Sequence, residues 1–295
     1  MRKYSGTWTA LITPFRGGMI DFDAVGRLVE MQIEGGVTGI LLAGTTGESP
    51  CLDGEENGEL LARVREMVDG RCLIMVGCGT NCTSKSVANA VECEDADVLM
   101  VVNPYYNKPT QEGLYQHFKA VADAVDKPIL LYNIMGRTGV NLETETLLKL
   151  ARECSNIIGV KEASGNMEQM KEVIAGRPRE DFIVMSGDDG LTLELIGNGG
   201  DGVVSVASNI VPGKVSEMVK FALEGNMEEA GKINSELARM FDEIFMETNP
   251  IPIKYCASKM GLCDLEYRLP MCAPSSEACG KLDEMIKNYN LGIKK

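Results

Sequence analysis

The chain has 295 residues, of which 44% are apolar and 24% are charged. This apolar fraction excludes an intrinsically disordered chain, and a chain of this length can bury most of its unfolded surface in a core. Its 43 acidic and 29 basic residues give a net charge of −14, which would repel a phosphate backbone. We therefore expect a folded protein with no nucleic-acid partner and, because no apolar run approaches about 18 residues, no membrane span.

Cysteine and histidine usage argues against a metal site. The ten cysteines include no C-x-x-C pair, so the spacing of zinc ribbons and thioredoxin-like motifs is missing. We interpret them as reduced, structural thiols of a cytoplasmic protein, and the apolar segment near the amino terminus is too interrupted to predict export. The single histidine, His117, is expected at a helix surface or cap. Any catalysis then falls to lysine, tyrosine, threonine or a carboxylate.

Short runs rich in Val, Ile and Leu alternate with longer segments of helical spacing, which is the pattern of parallel strands joined by crossover helices. Asp23 is predicted to begin the first helix, and Asp53 with Glu56 has the spacing of a capping box. Eight strand-sized runs begin near Trp8, Gly39, Cys72, Asp97, Pro128, Ile157, Phe182 and Gly202.

Eight βα units predict an α/β fold, a closed (β/α)8 TIM barrel over residues 1–224, with an open doubly wound sheet as the alternative. After about Leu223 the strands cease. Helical spacing over 227–246, 252–260 and 275–288 predicts a C-terminal helical extension, residues 225–295. A G-x-G-x-x-G match at 197–202 precedes a strand instead of following one, so it does not predict a dinucleotide site.

The carboxyl ends of barrel strands carry the active site in this fold, and Lys161 stands at such an end, directly after Ile157-Ile158-Gly159-Val160. A partly dry environment disfavours the ammonium form, so such a lysine can attack a carbonyl and form a Schiff base. The alternative is a structural lysine whose amine lies in solvent or pairs with Glu162. Tyr132, at the end of the neighbouring predicted strand, could pass protons to and from a carbinolamine.

Four further polar residues follow predicted strands, namely Thr45, Thr46, Tyr106 and Arg137. The pair Thr45-Thr46 offers backbone N–H groups and hydroxyls to a carboxylate, although a simple turn would look the same. Thr45 could also link Tyr132 to Tyr106, although either tyrosine could be an ordinary rim residue. Arg137 can bind a second carboxylate in a bidentate manner, or form a rim salt bridge.

Six segments, in order along nearly the whole chain, resemble the dihydrodipicolinate synthase and N-acetylneuraminate lyase superfamily of Schiff-base-forming (β/α)8 enzymes. They are Ala10-Leu11-Ile12-Thr13-Pro14, Gly44-Thr45-Thr46-Gly47-Glu48-Ser49, Asn103-Pro104-Tyr105-Tyr106-Asn107-Lys108-Pro109, Tyr132-Asn133, Gly159-Val160-Lys161-Glu162-Ala163 and Asn249-Pro250-Ile251-Pro252-Ile253-Lys254. At positions 45 and 137 the threonine and the arginine resemble the residues of the synthases and not those of the lyases. The resemblance implies condensation of pyruvate with L-aspartate 4-semialdehyde in diaminopimelate and lysine biosynthesis, without a metal or organic cofactor. A lyase acting on a 2-keto-3-deoxy sugar acid and a catalytically silent homologue are the alternatives.

The resemblance also implies roles for seven residues. Lys161 would form the imine, Tyr132, Thr45 and Tyr106 would relay protons, Thr46 would bind the pyruvate carboxylate, Arg137 would bind the second substrate, and Val204 would offer a backbone carbonyl near the imine.

In the family the residue matching Tyr106 comes from a neighbouring subunit, so the resemblance implies a homo-oligomer, with a tetramer built from dimers as the usual form. Some members bind lysine as an inhibitor between subunits. In that pocket Ser49, Asn81 and Tyr105 match the family, whereas Gly54, Asn57 and Lys85 replace two histidines and a glutamate. Lys85 would repel the ammonium of the effector, so we expect weak or absent inhibition by lysine.

Overall fold

The computed structural model describes residues 2–292 and confirms the predicted TIM barrel. In chain order the strands are β1 (Gly6–Ala10), β2 (Phe15–Arg16), β3 (Met19–Ile20), β4 (Gly39–Leu42), β5 (Leu73–Gly77), β6 (Val98–Val102), β7 (Ile129–Asn133), β8 (Ile157–Glu162), β9 (Ile183–Ser186) and β10 (Gly202–Ser205). The helices are α1 (Phe22–Glu34), α2 (Gly54–Val68), α3 (Thr83–Glu92), α4 (Gln111–Asp123), α5 (Met135–Thr138), α6 (Thr144–Glu153), α7 (Met167–Ala175), α8 (Thr192–Gly197), α9 (Pro212–Leu223), α10 (Met227–Glu243), α11 (Ile251–Lys259) and α12 (Ser276–Asn288).

The eight strands other than β2 and β3 pair in parallel and close into a barrel, because β1 bonds both to β4 and to β10. Closure excludes the open-sheet alternative. The hairpin β2–β3 lies outside the barrel sheet as a separate two-stranded ribbon. Because side chains alternate across each strand, every barrel strand has one set of residues facing the barrel interior and another facing the helices.

The inward-facing residues form a separate apolar cluster inside the barrel. Trp8 is fully buried there and its indole N–H donates to the Tyr4 carbonyl oxygen at 3.0 Å, so its polar atom is satisfied. Tyr132 and Val204 belong to the same cluster, which places both on the inner wall. The larger outer cluster packs the helices against the strands.

Element boundaries agree closely with the sequence patterns. The largest difference among the strand starts is at β1, which begins at Gly6 and not near Trp8. The capping box is confirmed, since Asp53 and Glu56 each bond to the other's backbone N–H. The expected start of the first helix at Asp23 is wrong: Asp21 caps α1, its carboxylate accepting from the Ala24 N–H at 3.1 Å.

The three helices after the barrel pack on it and on one another. Helix α10 lies against α8 and α9, and α12 lies against α10 and α11. Helix α11 also contacts the short 3₁₀ turn that follows β10, so it reaches the rim where the barrel strands end. Between residues 2 and 292, no helix is long and apolar enough to cross a membrane.

The expected position of His117 at a helix surface or cap is wrong. Its side chain is only 4% exposed, and Nδ1 lies 3.0 Å from the hydroxyl of Thr83 on the neighbouring α3. Burial lowers the pKa of His117 to about 4, so the imidazole is neutral at physiological pH. The residue therefore joins α3 to α4 inside the helical layer.

Candidate active site

Lys161 lies on β8, inside the carboxyl-end mouth of the barrel, and is only 5% exposed. It stands opposite Tyr132 in the β7–β8 register, and its Nζ lies 4.2 Å from the centroid of the Tyr132 ring. The structure shows neither of the two structural roles considered for Lys161, an amine in solvent or an ion pair with Glu162. The amine is not in bulk solvent, and Glu162 instead accepts hydrogen bonds from Asn133 and Ser164, both at 2.6 Å.

The space around the Lys161 side chain depends on a glycine. A Cβ added to Gly187, in the loop after β9, would lie 3.1 Å from Cε of Lys161 and 2.6 Å from Cβ of Ala163. Real Cβ atoms do not approach other atoms to 2.6 Å, so a side chain at this position would push against its neighbours. The missing side chain leaves the lysine stem room beside strand β9.

The loop after β4 is anchored at three consecutive residues. Thr46 Oγ1 accepts from Asn249 Nδ2 at 3.0 Å, the Gly47 carbonyl accepts from Thr13 Oγ1 at 2.7 Å, and Glu48 forms an ion pair with Lys254 at 2.5 Å. Because Thr46 Oγ1 already accepts one hydrogen bond, its own proton remains to be donated to another acceptor, such as a carboxylate oxygen. Thr46 is only 2% exposed.

A cavity of about 710 Å³ is lined by Thr45, Tyr132 and Arg137 among the predicted site residues. The other four predicted residues do not line it within the described chain, namely Thr46, Tyr106, Lys161 and Val204. The exposed Arg137 follows β7 on α5, and its Nη2 donates to the Asn249 carbonyl oxygen at 3.0 Å. This guanidinium bonds to a backbone carbonyl and not to a carboxylate within the described chain, so the rim salt bridge is not what holds it. Its remaining N–H groups can meet an anion that enters the cavity.

One member of the predicted relay is not brought to Lys161 within a single chain. Tyr106 is 90% exposed and has a left-handed backbone, with φ of 73°. A non-glycine residue rarely adopts this conformation without a surrounding constraint. Its ring projects outward from the loop after β6.

The same cavity extends between α2 and α3. The resemblance assigns six positions of this chain to the family's lysine pocket. Five of them line the cavity, namely Ser49, Gly54, Asn57, Lys85 and Tyr105. Oδ1 of Asn57 is buried without a hydrogen-bond partner in the described chain. Among the residues that the structure describes, Lys85 and Arg137 are the only basic side chains that line this cavity.

Sequence reasoning missed the second layer of polar groups. Lys254 is fully buried on α11; burial lowers its pKa while the charge of Glu48 opposes that shift. A lysine directly after the apolar run Ile251-Pro252-Ile253 was the signal that could have found it. Asn249 carried no such signal, because its contacts with Thr46 and Arg137 span more than one hundred residues.

Two buried carboxyl groups also lie at the mouth. Burial raises the pKa of Glu162 to about 7, partly offset by its hydrogen bonds from Ser164 and Asn133. Burial likewise raises the pKa of Asp189, which accepts from the Ser205 hydroxyl and from two backbone N–H groups after β10. Asp189 therefore ties the β9 loop to the turn that follows β10.

With this geometry established, comparison with known proteins identifies the family. The family model described as the dihydrodipicolinate synthetase family matches residues 3–289. The chain belongs to this family.

Relatives within the family cover essentially the whole chain. The 4-hydroxy-tetrahydrodipicolinate synthase of Endomicrobium trichonymphae is 46% identical over 293 residues, covering 98% of this chain and 99% of the relative. That of Chlorobium phaeobacteroides is 45% identical over 293 residues, covering 98% of each chain. The crystal structure of dihydrodipicolinate synthase from Aquifex aeolicus superposes with a TM-score of 0.96 at 44% identity, covering 99% of this chain and 100% of that one.

Proposed function

We propose that this dihydrodipicolinate synthetase family member is a 4-hydroxy-tetrahydrodipicolinate synthase, which condenses pyruvate with L-aspartate 4-semialdehyde. The observation that carries the proposal is the buried amine of Lys161, 4.2 Å from the centroid of the Tyr132 ring at the mouth of the barrel. The printed names of full-length relatives at 44–46% identity support the same reaction.

Imine formation is the first proposed step. The neutral amine of Lys161 attacks the keto carbon of pyruvate, and loss of water forms a C=N bond. The imine withdraws electrons, so the adjacent methyl group loses a proton and an enamine forms. That carbon then attacks the aldehyde of the second substrate, whose oxygen takes up a proton. The amino group of the semialdehyde unit next attacks the imine carbon, which closes the ring, and the C–N bond to Lys161 breaks as its nitrogen takes up the proton that the attacking amine loses. Tyr132, Thr45 and Tyr106 are proposed to relay these protons.

Substrate binding is proposed to use the remaining positions. Thr46 would donate its hydroxyl proton to the pyruvate carboxylate, since its oxygen is already occupied by Asn249. Arg137 would bind the carboxylate of the semialdehyde at the rim of the cavity. Val204 would place a backbone carbonyl near the imine; it lies on β10, and its side chain belongs to the interior cluster that also contains Tyr132.

Borohydride trapping tests the proposal directly. Wild-type protein, treated with pyruvate and sodium borohydride, should gain the mass of one reduced pyruvate adduct, and peptide mapping should locate it on Lys161. Lys161→Met, which keeps the stem without the amine, is the matched control and should gain nothing. If wild-type protein gains no adduct, the proposal is refuted and a catalytically silent homologue is favoured. Turnover of a 2-keto-3-deoxy sugar acid in preference to the semialdehyde would favour the lyase alternative.

We further propose that Tyr106 acts in the active site of a neighbouring subunit of a homo-oligomer, a tetramer built from dimers. Its 90% exposure on the isolated chain supports this. Mixing inactive Lys161→Met subunits with inactive Tyr106→Phe subunits should restore activity, because mixed dimers then contain one site with both residues. No recovery after subunit exchange would contradict the proposal.

The domain division and the cellular location are also proposals. We place the catalytic barrel at residues 1–224 and the helical extension at 225–295, and the enzyme in the cytoplasm. Asn249 and Lys254 of the extension hold the loop that carries Thr46, so the extension should be required for activity. A chain truncated after residue 224 that retained full activity would contradict this requirement.

A further inference from the structure

Three fully buried polar side chains lie behind the strand ends that carry Tyr132 and Lys161. Asn103 follows β6, Asn133 ends β7 and Glu162 ends β8, and each is 0% exposed. Asn103 Nδ2 donates to Asn133 Oδ1 at 2.8 Å, and Asn133 Nδ2 donates to Glu162 Oε1 at 2.6 Å. We call these three residues the strand-end network.

The network is directly coupled to the reacting side chains through the backbone. Asn133 is the residue after Tyr132, Glu162 is the residue after Lys161, and the two pairs stand opposite each other in the β7–β8 register. Because consecutive side chains point to opposite faces of a strand, the network lies on the helix side when Tyr132 and Lys161 face the interior. A shift of the network therefore moves the strand ends that carry the amine and the phenol.

The hydrogen bonds of the network leave little freedom for an alternative arrangement. Asn133 also donates to Asn141 Oδ1 at 2.8 Å and accepts from the Leu142 N–H at 3.0 Å, so both ends of its amide are used twice. The second oxygen of Glu162 accepts from Ser164 at 2.6 Å. Asn133 and Glu162 are satisfied in this way, whereas Oδ1 of Asn103 is buried without a hydrogen-bond partner in the described chain. Satisfied buried polar groups favour one geometry, and truncating Asn133 or Glu162 removes hydrogen bonds from groups that stay buried.

The network also reaches the segment that follows α5, the short helix that carries Arg137. Residues 139–142 follow α5, and both Asn141 and Leu142 bond to Asn133. Asn103 Nδ2 makes a second contact, to the Val140 carbonyl at 3.2 Å. The same three side chains thus fix the ends of three strands and the return path of the rim loop.

We propose that Asn133 and Glu162 are positioning residues for imine formation, holding the Lys161 amine beside the Tyr132 ring through the ends of β7 and β8. The inference rests on the proposed function, because it concerns the rate at which Lys161 captures pyruvate. It assigns neither residue a contact with substrate. What matters is the hydrogen-bond pattern of the network and not the negative charge of Glu162.

Single-turnover trapping separates positioning from stability. The rate of pyruvate-dependent, borohydride-trapped adduct formation on Lys161 is measured at saturating pyruvate in Glu162→Ala, Asn133→Ala and Glu162→Gln. Loss of near-attack geometry should slow trapping about tenfold or more in both alanine variants. Glu162→Gln can still accept from Asn133 and donate to the Ser164 oxygen, so it should stay within about threefold of wild type.

The matched control is Gln32→Ala on α1. Gln32 is also 0% exposed and accepts a hydrogen bond, from Thr9 Oγ1 at 2.6 Å, but it lies away from the strand-end network. Its loss should lower the melting temperature without slowing the trapping step. If the alanine variants of the network do not fold, Asn141→Ala removes one outer acceptor and should still slow trapping by about threefold.

The outcomes separate the inference from the proposed function. Failure of wild-type protein to form any adduct overturns both. Wild-type trapping together with unchanged rates in Glu162→Ala and Asn133→Ala, or in Asn141→Ala where those do not fold, overturns the positioning role alone. If Glu162→Gln traps pyruvate as slowly as Glu162→Ala does, the positioning role is also overturned, because the charge would then matter more than the hydrogen bonds.

Discussion

The buried ion pair between Lys254 and Glu48 permits a stability prediction with a magnitude. Lys254 Nζ lies 2.5 Å from Glu48 Oε1 and 4.2 Å from the centroid of the Phe15 ring, and the two charged side chains are 0% and 1% exposed. The other Glu48 oxygen accepts only from the Arg268 N–H at 3.1 Å. Lys254→Met keeps the volume of the stem and removes the charge, so the Glu48 carboxylate remains buried with one backbone donor.

Removing one partner of a buried ion pair costs about 3–5 kcal/mol, because the remaining charge stays desolvated. We expect Lys254→Met to lower the free energy of unfolding by about this amount. In the double variant Lys254→Met/Glu48→Gln no charge is left buried, so the loss should be smaller than in Lys254→Met alone. The double variant is therefore the matched control for the single one.

Urea unfolding followed by tryptophan fluorescence measures the effect. The chain contains one tryptophan, Trp8, and it is fully buried in the barrel interior, so its emission reports on the barrel itself. All variants are compared at one protein concentration, because the apparent stability of an oligomer depends on the concentration of its subunits. A double variant that loses as much as the sum of its two single variants would refute the reasoning, because the two charges would then act independently.

Four further outcomes follow from the site. Gly187→Ala should slow borohydride trapping on Lys161 by about tenfold, since the new methyl group meets the lysine stem; an unchanged trapping rate would contradict the crowding argument. Arg137→Lys should raise KM for the semialdehyde by about tenfold to a hundredfold with little change in KM for pyruvate, because a bidentate contact is lost; equal increases in both would count against a role specific to the second substrate. The pKa of Glu162 is raised from 4.5 to about 7, so between these pH values the folded protein retains a proton that the unfolded chain releases. The free energy of unfolding should therefore fall by up to about 3 kcal/mol as pH rises through this interval. A Glu162→Gln variant whose stability depends on pH just as steeply would refute this. Lysine titration should give weak or no inhibition, because Lys85 repels the effector's ammonium, and strong inhibition by lysine would disprove that expectation.

The main features of the candidate site were accessible from the sequence because they depend on local order. A lysine directly after a short apolar run, and a tyrosine in the same position after the preceding run, are brought to one end of the sheet by parallel strands. The structure places Lys161 and Tyr132 opposite each other as that pattern predicts. The position of Tyr106 on the outside of the chain could not be derived from local pattern, because it depends on where the loop after β6 projects.

The barrel could be predicted from the order of the residues, because eight apolar runs separated by helical segments leave few ways to bury both faces of the strands. The same order predicts which residues stand at the strand ends, whereas closure of the sheet, seen in the structure, excluded the open alternative. The distant groups that support these residues became visible only in the three-dimensional packing, where Asn249 contacts Thr46 and Lys254 pairs with Glu48. The burial of His117 between α3 and α4 likewise depends on how the helices pack. Such contacts join residues far apart in the chain, so local sequence patterns can mark a buried polar residue such as Lys254 but do not identify its partner.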